Sequence, residues 1–199
     1  MAGLEGSSGG GIDYALIFTG GFLDWGMMLP GGGPGLLLDL KGRGVELVDG
    51  GGTGVNLTSF ESIGRVVVAV LEGKYAGGVD RDFKGKREIR VKDVMISQRR
   101  LFELAREVTG ALDGDGGRGM GKEWTVTTVD TKKAFEEAEE NKRRGRPVDE
   151  FAYLKYAGSM GVFGSVWSEE VDDSGAFGLK RWSEEDVKGL MRGLLGVNS

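Results

Sequence analysis

The side chains that most often transfer protons or bind metals are absent from this sequence. Its 199 residues include no histidine and no cysteine, which excludes imidazole acid–base catalysis, thiol nucleophiles, disulfides and the usual zinc sites. Any proton transfer must therefore use a carboxylate, a lysine, a tyrosine or water. None of the four tyrosines has a lysine four residues later, the spacing of a familiar catalytic pair. The catalytic groups stay unknown at this point, and we expect no metal site.

A turn that combines aromatic and acidic side chains is the strongest candidate for a binding site. Phe22, Asp24 and Trp25 directly follow an apolar run between Asp13 and Thr19. Such a run predicts a strand of a parallel α/β sheet that is covered on both faces. Ligands of open α/β sheets bind beyond the carboxyl ends of strands, which would place this turn at a pocket. An aromatic cover over the core is an equally good interpretation.

Two glycine patterns have the spacing of nucleotide-binding motifs but stand in the wrong context. The stretch 114–119 matches G-x-G-x-x-G, and 116–122 matches G-x-x-x-x-G-K. The dinucleotide fingerprint needs a strand before it and a helix after it, whereas we predict the reverse order here. Glu123 also stands where a P-loop needs serine or threonine. We therefore interpret 113–121 as a loop that binds no nucleotide.

The charge pattern argues against nucleic acid as a partner. Net charge is −5, whereas nucleic-acid binding relies on basic surface that displaces counterions. Basic residues do gather between Arg81 and Lys92, but acids such as Asp93 interrupt them, so we predict a solvated face there. The acids between 169 and 173 could attract a cation, although their irregular spacing favours a solvated loop.

The N-terminal residues carry no secretion signal. We expect residues 1–11 to form a flexible leader, since they lack the basic start and apolar core of a signal peptide. No apolar run is long enough to span a bilayer, so we expect a cytoplasmic protein without a membrane partner. Residues 12–199 show no repeat and no clear linker, which favours one domain.

Strand and helix patterns alternate along the rest of the chain, which predicts an α/β fold. Strands are predicted at 36–40, 45–48, 87–91 and 124–129. Further helices are predicted to begin near Ser97, Thr131 and Ser183, the last with a capping box to Asp186, and 151–163 is predicted to be helical at first. The inner faces of the first and last of these helices are predicted to be formed by Leu101, Leu104, Ala105 and Val108, and by Val187, Leu190, Met191 and Leu194.

The clearest helix is predicted at about 59–72. Thr58 and Glu61 have the spacing of a capping box. One apolar face at helical spacing is formed by Phe60, Ile63, Val67 and Val70, and it is widened by Val66, Val68 and Leu71. We therefore expect this helix to be well buried.

Five blocks of the sequence, taken together, resemble one protein family. They are TGGFLDWGM (19–27), GLLLDLKGRGVELVDGG (35–51), NLTSFESIGRVVVAVLE (56–72), EWTVTTVDTKKAFEEAEE (123–140) and FGLKRWSEEDVKGLMRGLL (177–195). In this order and spacing they are similar to the C-terminal portion of the NmrA-like, isoflavone-reductase-like NAD(P)-binding proteins, particularly the fungal branch. The blocks cover most of residues 12–196.

The resemblance implies an atypical short-chain-dehydrogenase architecture, with a Rossmann-type domain and a smaller C-terminal substrate domain. It also implies a cofactor, NADP or NAD, and hydride transfer from its reduced form to a small organic substrate. Some members instead bind the dinucleotide as redox sensors. By the same analogy Gly21 and Phe22 would contact the cofactor, and Phe22 and Trp25 would contact the substrate.

The resemblance further implies what this chain lacks. The family's glycine fingerprint, its ribose-selecting residues and the lysine of its reductases lie in an N-terminal half without a counterpart here. We therefore expect a partial Rossmann-type fold with exposed strand edges and an exposed apolar face, binding dinucleotide poorly and weakly active or inactive. Two alternatives stay open. One is a non-catalytic interaction module that oligomerises through its exposed sheet edge, and the other is a gene model whose true start lies upstream.

Overall fold

The computed structural model describes residues 15–29, 33–34, 37–72, 88–114, 122–148 and 166–197. The strands are β1 (Leu16–Phe18), β2 (Gly21–Phe22), β3 (Met28–Leu29), β4 (Gly33–Pro34), β5 (Gly44–Val48), β6 (Gly54–Thr58), β7 (Glu88–Arg90), β8 (Val94–Ser97) and β9 (Thr125–Val129). The helices are α1 (Leu23–Met27), α2 (Phe60–Leu71), α3 (Gln98–Gly114), α4 (Thr131–Arg143) and α5 (Glu184–Leu194). Strands and helices alternate, so the predicted α/β class is confirmed.

Parallel pairing joins strands that are far apart in the sequence. β1 pairs with β7, β2 with β6, and β5 with β9, all in parallel. β8 extends β6 as an antiparallel neighbour, and β3 and β4 form an antiparallel pair. Parallel partners need long crossover connections, which α2 and α3 help to supply. The arrangement is consistent with part of a Rossmann-like fold.

The larger apolar cluster of the described residues lies beneath α3 and α5. Leu101 and Leu104 of α3 are fully buried, as are Val187 and Met191 of α5. The helical spacing of these residues predicted both inner faces correctly. The strands and loops add Leu23, Met27, Leu38, Leu40, Val45, Leu47, Leu57 and Ile96.

A smaller apolar cluster joins α2 to one face of the β1–β7 pair. Its buried members are Val66, Ile89, Val91 and Leu179. Ile17 of β1 packs against them from the sheet. Burial of these few side chains is the apolar contribution that holds β1 and β7 in place.

The opposite, outer face of β1 is exposed. Leu16 and Phe18 alternate with Ile17 and so point away from the small cluster. Leu16 is 47% exposed and Phe18 is 37% exposed, the latter under the Arg90 guanidinium. The prediction that this strand is covered on both faces is therefore wrong for the described residues, whereas an exposed apolar face is present as expected.

The sequence patterns misplace one strand and miss β6 and β8, as well as the two-residue strands β2, β3 and β4. Residues 37–40 form no strand beyond a single bridge between Asp39 and Gly44. Leu38 and Leu40 are nevertheless buried, because this segment lies against the large cluster. β6 contains glycine and asparagine, which are rare in strands, and β8 leads into α3 without a turn residue. Neither strand therefore has the alternating β-branched pattern on which the prediction depended.

The helix predicted at 59–72 is present as α2, but the buried face differs from the prediction. Its N-cap is Ser59, whose Oγ accepts a hydrogen bond from the Ser62 backbone N–H at 3.2 Å, and not Thr58. Ser62 and Val66 are the buried residues. A second apolar face stays exposed and is formed by Phe60, Val67, Val68 and Leu71. We call these four residues the outer face of α2.

The other long helices begin where the sequence predicts. α4 and α5 match their predicted starts, and Ser183 and Asp186 form the predicted capping box. α3 continues to Gly114, beyond its predicted end near Gly110. The predictions for residues 1–11 and 151–163 lie outside the described residues. Among the helices that the structure describes, none combines the length and apolar character needed to cross a bilayer.

Candidate functional site

The aromatic turn follows the carboxyl end of β1 through a glycine kink. Gly20 has a φ of 63°, a left-handed conformation that glycine adopts without strain. A Cβ at this position would lie 2.0 Å from the carbonyl oxygen of Asn56. Only glycine therefore lets the chain pass this close to β6. The kink directs Phe22 and α1 towards the N-terminus of α2.

Three aromatic rings meet on this turn, and we call Phe22, Trp25 and Phe60 the ring cluster. The centroid of the Phe22 ring lies 6.0 Å from that of Trp25 and 5.4 Å from that of Phe60, with tilted planes. Phe22 is 38% exposed and Phe60 is 49% exposed. This exposure favours a binding surface over a cover for the core. The sequence brought Phe22 and Trp25 together correctly but assigned Phe60 to a buried helix face.

Gly21, the other residue expected to contact a cofactor, lies within β2. A Cβ at Gly21 would lie 2.7 Å from the Leu57 side chain. The close packing of β2 against β6 therefore accounts for a glycine here without any ligand. The structure places Gly21 next to Phe22 but gives it a packing role of its own.

Asp24 connects the ring cluster to α2. Its Oδ2 accepts a hydrogen bond from the backbone N–H of Phe60 at 2.6 Å. Within the described part of the chain, no lysine or arginine forms an ion pair with Asp24. The carboxylate thus lies at the N-terminus of α2, where a single backbone donor of the described residues holds it.

A second carboxylate holds the same helix end from inside the protein. Asp93 is fully buried. Its Oδ2 accepts from the Ser59 backbone N–H, and its Oδ1 accepts from the Ser62 hydroxyl, both at 2.7 Å. The sequence predicted a solvated face here, which is wrong for Asp93. A buried carboxylate is tolerated because both of its oxygens receive donors.

The N-termini of the long helices are already satisfied by side chains of the protein. The carboxylates of Asp24 and Asp93 accept hydrogen bonds from the backbone at the N-terminus of α2, while α5 begins with its own capping box. At α4, Asp49 accepts from the backbone N–H and the hydroxyl of Thr131, and these bonds keep the pKa of Asp49 below its usual value. Carboxylates at these positions repel a phosphate.

The N-terminus of α3 lacks a carboxylate but is also capped. Ser97 Oγ accepts from the Arg100 backbone N–H at 3.2 Å. Arg99 next to it donates to the carbonyl of Gly50, and Arg100 pairs with Glu184. The described residues therefore do not fit the pyrophosphate of a dinucleotide. The two glycine motifs lead to the same conclusion, because a helix, α3, precedes them and a strand, β9, follows them, the reverse of the order that a dinucleotide fingerprint needs. Residues 115–121 themselves lie outside the described residues.

Lys92 is a buried cation that the sequence pattern also assigned to a solvated face. It is 1% exposed, and its Nζ lies 2.7 Å from Glu169 Oε1 without the direction of a good hydrogen bond. Asp172 lies 3.7 Å away, and Arg181 contacts both acids. Lys92 and Arg181 lower the pKa of Glu169. The acidic run thus binds the protein's own cations, which fixes it to the end of β7.

Asn56 is a buried amide that the sequence did not single out. It is fully buried, and neither its Oδ1 nor its Nδ2 has a hydrogen-bond partner in the structure. By strand register it shares a face of β6 with Thr58, the residue paired with Phe22. A buried amide without hydrogen-bond partners costs free energy, and this one lies in the part of β6 that the Gly20 kink approaches most closely.

In the rest of the described residues, charged side chains form no second site of this kind. A groove of about 530 Å³ runs along α4, and Glu140 within it pairs with Arg143 and Arg144. Across the residues that the structure describes, no three carboxylates come together in a way that could hold a metal ion.

Comparison of the chain with known protein families, with curated proteins and with solved structures finds no significant match.

Proposed function

We propose that this chain forms the substrate side of an NmrA-like, NAD(P)-dependent oxidoreductase. The observation that supports it best is the position of the ring cluster, which lies just beyond the carboxyl end of a parallel strand and is exposed there. Nicotinamide rings and small organic substrates bind such apolar surfaces. The order of the resembling sequence blocks supports the same proposal.

The proposal assigns the dinucleotide phosphates to protein that lies outside the described residues. The side-chain caps on α2 to α5 support this assignment, because they leave no long helix of the described part of the chain with an uncapped N-terminus. We therefore expect the 199-residue chain alone to bind NADPH poorly and to be nearly inactive. No catalytic residue is assigned.

The test is a two-part NADPH titration. The chain is titrated alone and again after co-purification with the nucleotide-binding half of an NmrA-like protein. Energy transfer from tryptophan to the reduced nicotinamide reports binding near the ring cluster. We expect transfer only in the combined sample, with most of it lost in Trp25→Phe.

Trp182→Phe is the matched control, since Trp182 packs against the large cluster on another element. Its replacement should leave the transfer largely intact. Micromolar binding of NADPH by the chain alone would contradict the proposal. An equal loss of energy transfer in Trp25→Phe and Trp182→Phe, measured in the combined sample, would also contradict the proposal.

A second candidate function is a non-catalytic module that associates through the outer face of β1. Leu16 and Phe18 are the observation that favours it, because a parallel strand normally has both faces covered. In this case two copies of the chain would bury these side chains against each other. Light scattering after size exclusion distinguishes the two candidates. A dimer that Phe18→Lys converts to monomer, together with no NADPH binding in the combined sample, would favour the interaction module.

A further inference from the structure

We infer that the ring cluster and Asp24 together form a site for a small organic cation, of the alkylammonium class. This inference rests on the proposed function, since it names the kind of ligand that the same turn would accept. It depends on three features of the turn: exposed aromatic faces, a carboxylate with no ion-pair partner among the described residues, and an excess of negative charge among those residues.

The aromatic faces supply the first part of the recognition. Phe22 contacts both other rings, and Phe22 and Phe60 each leave more than a third of their surface open. The face of an aromatic ring carries a negative quadrupole that attracts a cation within about 6 Å. Several rings at one exposed place form the kind of surface that binds quaternary ammonium groups.

The carboxylate supplies the second part. Asp24 Oδ2 is held by the Phe60 backbone N–H, so the carboxylate is fixed at the first turn of α2, beside the backbone of a member of the ring cluster. Among the described residues, its other oxygen has no hydrogen-bond partner and no cation neutralises it. Other described acids do pair with the protein's own cations, as Glu169 does with Lys92.

The charge balance around α2 supplies the third part. The helix N-terminus contributes about half a positive charge. Asp24 and the buried Asp93 contribute two negative charges at the same place. Glu61 in the first turn is balanced by Arg65 at 2.7 Å. Counted over the described residues, the turn therefore keeps a net negative charge beside its aromatic rings, which favours a cation over a neutral or anionic ligand of equal shape.

The experiment compares choline with its neutral isostere dimethylbutanol, in which a tert-butyl group replaces the trimethylammonium group. Both are titrated into the full chain without any cofactor, and binding is followed by the NMR signals of the ligand methyl groups. We expect choline to bind about tenfold more tightly than the isostere. Because the choline titration contains no NADPH, its outcome does not depend on the outcome of the test of the proposed function.

Two variants locate the binding. Asp24→Asn keeps an oxygen for the Phe60 N–H but removes the charge, and we expect choline to bind about fivefold more weakly. Phe60→Leu keeps an apolar side chain but removes a ring and should also weaken binding of choline. Glu170→Gln removes an exposed carboxylate on another element and should leave binding unchanged. Urea unfolding of each variant confirms that it is folded.

Equal binding of choline and the isostere would overturn the inference, as would no saturable binding of choline. An equal loss in Glu170→Gln and Asp24→Asn would also overturn it, because attraction would then be a property of the whole surface. If choline fails while the combined sample still shows energy transfer to NADPH, only this inference is lost. If choline binds and energy transfer fails, the cation site stands and the proposed function is lost.

Discussion

α2 and α5 are helices of similar length that begin alike and pack differently. α2 has 12 residues and α5 has 11, and each has a serine N-cap. Val187 and Met191 bury the apolar face of α5 completely. On α2 only one valine, Val66, is fully buried, whereas Leu71 is 80% exposed. Two helices with clear amphipathic patterns thus differ in whether a partner surface covers them.

The difference shows that periodicity predicts a helix better than it predicts what the helix packs against. α5 is held by apolar contacts with α3, Leu23 and Met27. α2 is held largely by polar contacts at its first turn, where Asp93 and Asp24 bind its backbone. The outer face of α2 contributes little to the stability of the isolated chain.

The largest expected contrast comes from the same substitution at two helix positions. Leu101→Ala should lower the free energy of unfolding by about 3 kcal/mol, because it leaves a cavity in the large cluster. Leu71→Ala should change it by less than about 0.5 kcal/mol, since this leucine is already exposed to water. Both substitutions replace leucine by alanine in a helix, so the change in helix propensity is similar in the two variants and cancels when they are compared. Urea midpoints at constant m-value measure the contrast, and similar losses would show that the outer face of α2 is buried after all.

The next effect tests the polar attachment of α2. Asp93→Asn should lower the free energy of unfolding by about 2 kcal/mol, because its new N–H₂ group faces the donor of Ser59 or Ser62. Asp24→Asn at the same helix end is the matched control and should cost less than about 1 kcal/mol, since its carboxylate is only half-buried. Chemical denaturation of both variants gives the comparison. A greater loss at Asp24 would contradict the buried anchor.

A smaller effect depends on pH and tests the carboxylate at α4. The pKa of Asp49 is lower in the folded protein than its usual value because Thr131 donates two hydrogen bonds to it. Asp49 therefore stabilises the fold above its unfolded pKa of about 4, and this contribution disappears as the pH falls through the lower folded pKa. Thr131→Val should destabilise the protein at neutral pH and less so in acid.

Thr128→Val on the exposed β9 is the control for this pH dependence. Its effect on the free energy of unfolding should not vary with pH, because the described structure gives the Thr128 hydroxyl no carboxylate partner. Thermal or urea unfolding across the acid range measures both variants. A parallel pH dependence for the two would show that Asp49 is not the group responsible.

The smallest effect is expected on the exposed surface of α4. Glu140→Gln removes ion pairs with Arg143 and Arg144 but should change the free energy of unfolding by less than about 0.5 kcal/mol, because water and salt screen such pairs. Urea unfolding at low and high salt is the measurement. A loss above that of Asp24→Asn would mean that surface charge, and not buried anchors, distinguishes the helices.

Helix positions were predictable from the sequence because capping residues and spacing are local signals. The serine caps of α3 and α5 and their buried stripes are read directly from neighbouring residues. The strands β6 and β8 were not predictable in this way. Their stability comes from pairing with each other and with β2, and no local sequence pattern records such pairing. The exposed face of α2 was missed for the same reason.

Part of the site was predictable and part was not. Phe22 and Trp25 stand beside each other in the sequence, so their meeting follows from a short turn. Phe60 comes from a distant segment, and its ring reaches them only because Gly20 lets β2 pair with β6. Lys92 and Asp93 look like solvated charges until the partners that bury them, Glu169 and Ser59 among others, are in place.

The kink at Gly20 also keeps two surfaces of the protein close to each other along the chain. Only Thr19 and Gly20 separate β1, whose outer side chains are open to a partner, from β2, which carries the first ring of the cluster. A protein that covers the outer side chains of β1 would therefore lie only two residues along the chain from the strand that carries Phe22.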